Sequence, residues 1–450
     1  MDLTRQAILI RGRRRVGKSR LVEQFISSAG VPYIFFAADG HSMQADLRRF
    51  ADEVAASNLP NAEAIAGAAP SNWRAALQAL NVALPDDGTC IVAIDEMPNL
   101  IAHASGFEGA LQNIFDRQLS RKRLLLIGIG SDLAMMEQIN SYNRPFYQRA
   151  TEMVVPAMSP LEVAEMLGLP PHDAFDAYLV SGGLPLILSE WPRGATVWTY
   201  LKKALKNPTS ALLVSAERSM AAEFPRDVQA REVLTAIGGR GERTFTAIGQ
   251  SCGITAAAVS RAREILSTKR LVVAQRPLST TSSKETRYTV ADPYLRFWLT
   301  FIAPNMQRIE RGSVEPVLAN IKKSWDSWRG RAIEPVIHES LARMELTYGG
   351  EDIPGVVGGF WTRTNSTEVD IVVANRAPVA DAIYAVGSIK WREGGPFDEA
   401  DLAQLIAQRP RVPGACADTP LVIVSRNGST ATMSPGSRVV GPEELLNAWR

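Results

Sequence analysis

The stretch from Gly12 to Ser19, GRRRVGKS, decides the fold of the first part of this chain. Its two glycines, spaced five residues apart and followed by Lys18 and Ser19, form a phosphate-loop pattern. The apolar run QAILIRG precedes it and the helically spaced run SRLVEQFISSAG follows it. A strand, a loop and a helix in this order favour an anion site of backbone N–H groups at the helix start. We therefore predict phosphate contacts from Gly12, Arg13, Arg14, Arg15, Val16, Gly17, Lys18, Ser19 and Arg20.

A second motif, CIVAIDE, places Asp95 and Glu96 at the end of another apolar run. Ligands of open parallel sheets bind at the carboxyl ends of the strands, where this pair is expected. We predict that Asp95 and Ser19 hold Mg²⁺, that Lys18 bridges phosphate oxygens, and that Glu96 polarises the attacking water. The alternative is a glycine-rich turn with an unrelated acidic strand end.

Two further positions are catalytic candidates. Ser131 ends the apolar run LLLIGIGS and either senses the terminal phosphate or caps a helix. Arg149, like Arg144, lies in NRPFYQRA. An arginine there either reaches the phosphates, in cis or across a subunit interface, or is a solvated surface residue.

Composition and length exclude several protein classes. The 450 residues are 46% apolar and 21% charged, with a net charge of +2, which indicates a globular protein of two to four domains. The three cysteines are far apart and have no zinc-site spacing, which favours a reducing compartment. Apolar runs are strand-length, too short to cross a bilayer, and no signal peptide fits before the loop. We expect a cytoplasmic protein with no membrane contact.

The order of the patterns predicts an α/β chain in four parts. Apolar strands alternate with helices up to about residue 155, which predicts a core with a parallel sheet. Helical patterns without strands follow and predict a helical lid. A compact basic segment comes next, and the last part begins with helices and ends with strands. The predicted boundaries are 1–155 for the core, 156–225 for the lid, 226–292 for a winged helix-turn-helix and 293–450 for the C-terminal domain.

The segment between residues 240 and 287 carries nine basic and three acidic residues. Its pattern predicts a helix, a turn, a second helix and a strand, followed by a polar hairpin tip and a returning strand. This is the order of a winged helix, a fold that can bind DNA. The candidate DNA contacts are Arg261, Arg263, Lys269 and Arg270. A winged helix used only for protein contacts, or an ordinary charged helix face, remains the alternative.

The C-terminal part carries EVDIVV and, one strand later, VGSIKW. These runs resemble the core of the restriction-endonuclease-like fold, which needs a strand-end acid and then Glu-x-Lys. Asp370 and Lys390 match that pattern, Glu334 matches a helical acid often present, and Ser388 replaces the glutamate. Because a serine hydroxyl is a weak, neutral metal ligand, we expect a degenerate site without strong nuclease activity.

Several of these motifs together resemble the archaeal-type ATPase family of P-loop proteins, which also occurs in bacteria. They are GRRRVGKS, IDEMPNL, RPFYQR, MSPLEVAEML and GGLP, with DPYLRFW in the region that often follows that ATPase. The resemblance implies ATP and Mg²⁺ as ligands. It also implies that Arg13, Arg14 and Arg15 belong to a family signature and can point away from the nucleotide. The family's adenine-holding motif before the first strand has no counterpart here, so base specificity stays open.

We therefore interpret the sequence as an ATP-binding and ATP-hydrolysing switch that associates with DNA. The lid would respond to the nucleotide and reposition the appended domains. Two alternatives remain open: an ATP-regulated, metal-dependent nuclease, and a protein-binding regulator that scarcely turns ATP over. A homo-oligomer and unidentified protein partners are compatible with each of them.

Overall fold

The computed structural model describes residues 7–38, 42–131, 133–224, 228–239, 241, 244–344, 347–348, 351–352 and 355–450. Arg240, Glu242 and Arg243, which contribute to the predicted basic segment, lie outside these ranges. The chain divides into two compact units, Met1–Ala157 and Met158–Arg450.

The first unit is built on a five-stranded sheet in which every pairing is parallel. The strands follow the order β2-β3-β4-β1-β5. β3 is buried along its whole length, as expected for a strand covered on both faces. The strands are β1 (Ala7–Arg11), β2 (Tyr33–Ala37), β3 (Cys90–Asp95), β4 (Leu124–Gly130) and β5 (Thr151–Val154).

Helices connect these strands and pack on the sheet. On one side Trp73 contacts the rings of Phe36, Phe50 and Phe107, at centroid distances of 6.2, 5.5 and 5.0 Å. Ser42 and Asn72 cap the N-termini of α2 and α3 by accepting backbone N–H bonds. The helices are α1 (Lys18–Ala29), α2 (Met43–Ala56), α3 (Trp73–Ala83), α4 (Met97–His103), α5 (Phe107–Arg117) and α6 (Leu133–Ile139).

The four strands predicted from the sequence are β1 to β4, and the structure adds β5 at the edge beside β1. β5 is only four residues long, and its Met153 and Val154 are exposed. Such a strand lacks the buried apolar run that identifies the other four, so the sequence pattern did not indicate it. Its presence places the phosphate-loop strand β1 inside the sheet, between β4 and β5.

The second unit begins with helices alone, as predicted. α7 opens with Ser159 and Glu162 in a reciprocal capping box, which fixes the start of the helical segment. The helices up to the basic segment are α7 (Pro160–Leu167), α8 (Pro171–Ser181), α9 (Pro185–Ser189), α10 (Val197–Leu205) and α11 (Ala211–Glu223).

Three helices and an antiparallel hairpin follow, which is the element order that the winged-helix prediction requires. α13 and α14 are capped by Thr244 and Thr255. The elements are α12 (Val228–Gly238), α13 (Phe245–Cys252), α14 (Ala256–Thr268), β6 (Val272–Gln275) and β7 (Arg287–Val290). The assignment as a winged helix, like the domain boundaries, stays a prediction.

The remainder of the second unit carries a mixed sheet in the order β10-β11-β12-β13-β14. β10 to β12 pair antiparallel, whereas β13 and β14 add in parallel. The strands are β8 (Thr347–Tyr348), β9 (Glu351–Asp352), β10 (Val356–Trp361), β11 (Glu368–Ala374), β12 (Ile383–Lys390), β13 (Leu421–Ser425) and β14 (Arg438–Val440). The helices are α15 (Pro293–Phe297), α16 (Met306–Glu310), α17 (Val314–Arg343), α18 (Glu399–Gln408) and α19 (Pro442–Asn447), with a π-helical turn at Trp298–Ile302.

The loop between β6 and β7 makes contacts that its sequence does not predict. The polar hairpin tip is present, but Leu278 and Ser279 at its start are only 2% and 1% exposed. The Leu278 N–H donates to the Gly359 carbonyl, the Ala380 N–H to the Ser279 carbonyl and the Thr280 N–H to the Pro413 carbonyl. This part of the loop is thus bound along the C-terminal sheet. A polar sequence does not reveal backbone pairing with a distant segment.

Among the described residues, no helix combines the length and the apolar character that a membrane span requires.

Candidate functional site

The loop between β1 and α1 has the conformation that its glycines permit. Gly17 has φ 90° and directly precedes Lys18, the first residue of α1. Gly12 lies so close to residue 155 that an added Cβ would meet the Val155 carbonyl oxygen at 2.3 Å. Arg15 also has a positive φ of 70°, which is unusual for a residue with a side chain. The backbone of the loop is therefore held in a shape that most substitutions at Gly12 or Gly17 would strain.

Lys18 is buried inside this loop. Its Nζ donates to the carbonyl oxygens of Gly12 and Arg13, both at 2.9 Å. Burial lowers the pKa of Lys18, while the nearby carboxylates of Glu96 and Asp95 act in the opposite direction and Arg14 lowers it further. The ammonium group thus lies between the loop and the acidic strand end. It is bound to weak, neutral acceptors that an anion can replace.

The predicted catalytic acids are joined to the loop by hydrogen bonds. The Ser19 hydroxyl donates to Asp95 Oδ2 at 2.5 Å, and the Glu96 N–H donates to Asp95 Oδ1 at 2.8 Å. The Ser131 hydroxyl donates to the Glu96 carboxylate at 3.1 and 3.2 Å. Residues from the ends of β3 and β4 and from the start of α1 therefore meet in one cluster. The sheet order explains this meeting, because β4 lies directly beside β3 and β1.

Glu96 adopts a left-handed backbone conformation with φ 51°, which is uncommon for a glutamate. It is the N-cap of α4, but its side chain makes no capping hydrogen bond. Its carboxylate instead accepts from Ser131. Backbone strain of this kind occurs where the surrounding structure holds a side chain in a required place.

The two candidate arginines, Arg149 and Arg144, form ion pairs with acids outside the loop and the acid pair. Arg149 forms a two-pronged ion pair with Asp116 at 2.7 and 2.8 Å, and it donates to the carbonyls of Pro145 and Tyr147. Arg144 pairs with Glu108 at 2.6 Å. Neither arginine makes a hydrogen bond to Lys18, Asp95 or Glu96 in the described structure. A catalytic role of Arg149 stays a prediction that requires the Asp116 pair to open.

Two of the loop arginines can be placed relative to the site. Arg14 is exposed, although it is near enough to influence Lys18 electrostatically. Arg20 is exposed on α1 and pairs weakly with Glu23 at 3.4 Å. Their predicted contacts with phosphate stay predictions.

The four candidate DNA contacts do not share one environment. Arg261 is exposed on α14, whereas Arg263 donates to the Tyr288 hydroxyl at 3.4 Å. The Lys269 ammonium lies 5.9 Å from the centre of the Phe224 ring, and Arg270 has a φ of 53° after the helix end. Arg261 and Arg263 are both exposed on α14, but side chains two residues apart lie on different sides of a helix.

The predicted degenerate nuclease residues are only partly brought together. The Ser388 hydroxyl and the Ile389 N–H both donate to Asp370 Oδ2 at 2.9 Å, and burial raises the pKa of Asp370. Lys390 pairs with Asp401 at 3.3 Å. Glu334 lines one cavity, Ser388 and Lys390 line another, and Asp370 borders both. Across the part of the chain that the structure describes, no three histidine, cysteine or acidic side chains form a group suited to a metal ion.

Sequence reasoning missed two features of these sites. One is the anchoring of Arg149 by Asp116, a residue of α5 that no motif singles out. The other is a group of arginines that lines the same cavity as Glu334. These arginines come from separate elements. Neither has a signal in the sequence, because both depend on which elements the fold places side by side.

Two family models match the chain. Residues 2–190 match the model described as an ATPase domain predominantly from Archaea. Residues 2–190 are therefore similar to an archaeal-type ATPase domain. Residues 298–404 match a model described as archaeal and bacterial proteins of unknown function. The loop, Lys18, Asp95, Glu96 and Ser131 all lie in the part that matches the ATPase model.

Similar proteins come from archaea. An uncharacterized protein of Methanocaldococcus jannaschii is 26% identical over 395 residues, which cover 86% of this chain and 83% of that protein. Among solved structures, the Walker-type ATPase of Pyrococcus abyssi has 20% identity and a TM-score of 0.47, over 66% of this chain and 91% of that chain. The ORC2 protein of Aeropyrum pernix, solved in ADPNP–ADP complexes, has 12% identity and a TM-score of 0.43, over 68% and 89%.

Proposed function

We propose that this protein hydrolyses ATP at the cluster of Lys18, Ser19, Asp95, Glu96 and Ser131, and that the nucleotide state controls its association with DNA. The observation that carries the first part is the chain of hydrogen bonds from Ser19 to Asp95 and from Ser131 to Glu96. It joins the phosphate loop to an acid pair in the part that matches the ATPase model. The second part rests on the exposed arginines of α14.

The loop residues have separate roles in binding phosphate. The backbone N–H groups of the loop and of the first turn of α1 would donate hydrogen bonds to the oxygens of a polyphosphate. Lys18 exchanges the Gly12 and Arg13 carbonyls for phosphate oxygens, which is favourable because a charge-assisted bond to an anion is stronger. Restored contact with negative charge also counteracts the desolvation that lowers the Lys18 pKa.

The donor set fits Mg²⁺. Ser19 Oγ and Asp95 Oδ2 are oxygen ligands only 2.5 Å apart, and Mg²⁺ in nucleotide sites uses one or two protein oxygens together with phosphates and water. Ser19 and Asp95 are the residues that would hold it, and the ion would neutralise phosphate charge. Both oxygens would then face the ion, and the hydrogen bond from the Ser19 hydroxyl to Asp95 would break while Ser19 keeps its proton.

Glu96 is the residue that we propose to act on water. Its carboxylate is oriented by the Ser131 hydroxyl and its backbone by the Asp95 side chain. A carboxylate held in this way accepts a proton from water that attacks the terminal phosphate. Ser131 is a positioning residue in this scheme, because it acts through Glu96.

Phosphate release tests the enzymatic part. Lys18→Ala is expected to abolish nucleotide binding, whereas Glu96→Gln should keep ATP binding and lower the hydrolysis rate at least about tenfold, because the amide cannot accept the proton. Ser131→Ala should lower the rate less than Glu96→Gln does, with ATP affinity unchanged. Hydrolysis by Glu96→Gln at the parent rate would show that another group activates the water.

DNA binding tests the switch. The affinity for a DNA duplex is measured with no nucleotide, with ADP and with a non-hydrolysable ATP analogue. We expect affinities that differ among these states, and we expect Lys18→Ala to abolish the difference while leaving its nucleotide-free affinity like that of the parent. Equal affinities in all states would limit the proposal to ATP hydrolysis.

A further inference from the structure

A cavity of about 490 Å³ in the second unit lies between the β6–β7 hairpin and the C-terminal sheet. Four arginines line it, and each comes from a different place in the chain. Arg276 follows β6, Arg287 lies on β7, Arg296 on α15 and Arg331 on α17. Arg296 lies in the DPYLRFW motif, whereas the other three lie in none of the quoted ATPase or nuclease motifs.

One of these arginines is fixed before any ligand arrives. Arg287 donates to Glu368 at 2.6 Å and to Asn365 at 2.7 Å, and its guanidinium lies 4.4 Å from the centre of the Trp361 ring. Such a side chain has already lost the rotamer freedom that binding would otherwise remove. The ion pair with Arg287 also balances the negative charge of Glu368, one of three acids that line the cavity.

The positive charge of the cavity is not fully compensated. Within the described residues, Arg276 and Arg331 have no ion pair, and the one side-chain bond of Arg331 is a long contact to the Ser327 carbonyl at 3.4 Å. Both are exposed at the cavity edge. The lining holds four arginines and three acids, Glu334, Glu368 and Asp370, so one positive charge has no acidic counterpart in the lining. A multiply charged anion is therefore the ligand class that suits these two guanidinium groups best.

The size and the rest of the lining narrow the ligand. A volume of about 490 Å³ lies in the range of small-molecule pockets and is too small for a duplex. Phe360, Leu278 and Pro335 supply apolar walls, and Gln275 and Thr289 supply hydrogen-bonding groups. Apolar walls beside cationic groups match a nucleotide, which has a flat base and a charged phosphate.

We propose that this cavity binds one nucleotide through its terminal phosphate, with Arg276 and Arg331 as the phosphate contacts and Arg287 as a pre-oriented third. The shared chemistry is a phosphate monoester, which occurs on a free nucleotide and at the 5′ end of a nucleic-acid strand. The site is separate from the phosphate loop and does not rest on ATP hydrolysis there.

Binding is measured by titration calorimetry with the full chain carrying Lys18→Ala, so that the phosphate loop does not contribute. The probes are thymidine 5′-monophosphate, 5′-phosphorylated dT tetramer and the same tetramer without the phosphate. We expect at least one phosphorylated probe to bind at least about tenfold more tightly than the unphosphorylated tetramer. Preference for the free nucleotide or for the tetramer identifies the source of the phosphate.

Substitutions then locate the site. Arg276→Ala with Arg331→Ala should weaken binding of the phosphorylated probe at least about tenfold. Arg276→Lys with Arg331→Lys should restore part of it, because the charge is kept. The matched control is Arg311→Ala with Arg411→Ala, two exposed arginines outside the cavity lining, which should bind like the parent.

The thermal unfolding midpoint of each variant checks the fold, and Arg331→Glu alone serves as a second variant that should also weaken binding. The proposal is overturned if no phosphorylated probe binds at millimolar concentration, if the unphosphorylated tetramer binds equally well, or if the cavity variants bind like the control. All these titrations use the chain with Lys18→Ala, in which we expect the phosphate loop not to bind nucleotide. A negative result would therefore not bear on the proposed ATP hydrolysis.

Discussion

Two aspartates of this chain, Asp95 at the end of β3 and Asp370 near the start of β11, receive the same donors in different arrangements. Asp95 accepts a serine hydroxyl on one oxygen and a backbone N–H on the other. Asp370 accepts a serine hydroxyl and a backbone N–H on the same oxygen, Oδ2. The serine beside Asp95 belongs to the phosphate loop, whereas Ser388 stands where the nuclease pattern needs a carboxylate. The residue types alone do not distinguish the two aspartates. The element that carries the serine does, because Ser19 lies at the start of α1 and Ser388 lies on β12.

This difference predicts the outcome of a single substitution at Ser388. We expect no strong cleavage of supercoiled plasmid DNA by the parent with Mg²⁺ or Mn²⁺, because a hydroxyl stands beside Asp370 where the nuclease pattern places a second carboxylate. Ser388→Glu should increase Mn²⁺ binding and give metal-dependent nicking that Asp370→Ala removes. Robust cleavage by the parent, abolished by Asp370→Ala, would instead support the nuclease alternative.

His338 predicts a pH dependence of stability. Its Nε2 lies 2.7 Å from the Asp370 carbonyl oxygen, and burial lowers its pKa from 6.5. The unfolded chain therefore binds a proton at a higher pH than the folded chain does, so stability is full above pH 6.5 and falls as the pH drops through the folded pKa. His338→Gln should lose less unfolding free energy than the parent between pH 7.5 and 5.5 in urea titrations. An equal loss in both proteins would mean that other groups carry the effect.

At the scale of elements, α14 and the β6–β7 hairpin that follows it in the chain differ in solvent exposure. Arg261 on α14 is exposed, whereas the loop from Leu278 to Thr280 is bound to the C-terminal sheet. If this region binds DNA, we expect the contacts to come from the helix rather than from the bound loop. Tyr288 on β7 accepts from Arg263 and so links the two elements.

The consequence for DNA binding is a prediction about salt. If α14 binds phosphates, Arg261→Ala with Arg263→Ala should weaken duplex binding and reduce the log–log salt slope by about 0.9 for each phosphate that the variant no longer neutralises. Lys202→Ala with Lys203→Ala on α10, which also removes two exposed positive charges, is the control. Fluorescence anisotropy at several salt concentrations measures both. An unchanged slope would favour the protein-contact alternative for this segment.

The elements also show what the sequence could predict. β1 to β4 and the acid pair after β3 followed from apolar runs and motif spacing, because these signals are local. β5 was missed because four half-exposed residues make no run, and the bound hairpin loop was missed because its partners lie about 80 to 130 residues further on. Ser131 was predicted as a strand-end group, but its bond to Glu96 depends on β4 lying beside β3.

At the scale of the whole second unit, one buried arginine joins segments that the sequence assigns to separate domains. Arg329 of α17 has no exposed surface and pairs with Asp176 of α8 at 2.9 Å, with Asp326 at 2.7 Å and with Glu393 at 3.1 Å. Arg426 also pairs with Asp176, at 3.3 Å. The predicted lid helix and the predicted C-terminal domain are thereby connected through Asp176, Arg329 and Arg426, whose buried charges solvent screens little.

Removing this arginine is expected to destabilise the protein strongly. Arg329→Ala leaves Asp176, which is 4% exposed, with one cation fewer, and breaking a buried pair costs about 3–5 kcal/mol. The control is Arg376→Ala, which breaks an exposed pair with Asp381 and should cost at most about 1 kcal/mol. Urea unfolding measures both, and similar losses in the two variants would show that the Arg329 pairs contribute little.

The bound loop between β6 and β7 has a consequence for how these segments can recombine in evolution. Leu278 belongs to the hydrophobic core of the C-terminal sheet, together with Val369 and Val372, although it precedes the predicted boundary at residue 292. A recombination event that moved residues 226–292 into another gene would expose Leu278 and leave a hole in the sheet that stayed behind. Residues 226–292 and the C-terminal domain are therefore expected to be found together in related proteins.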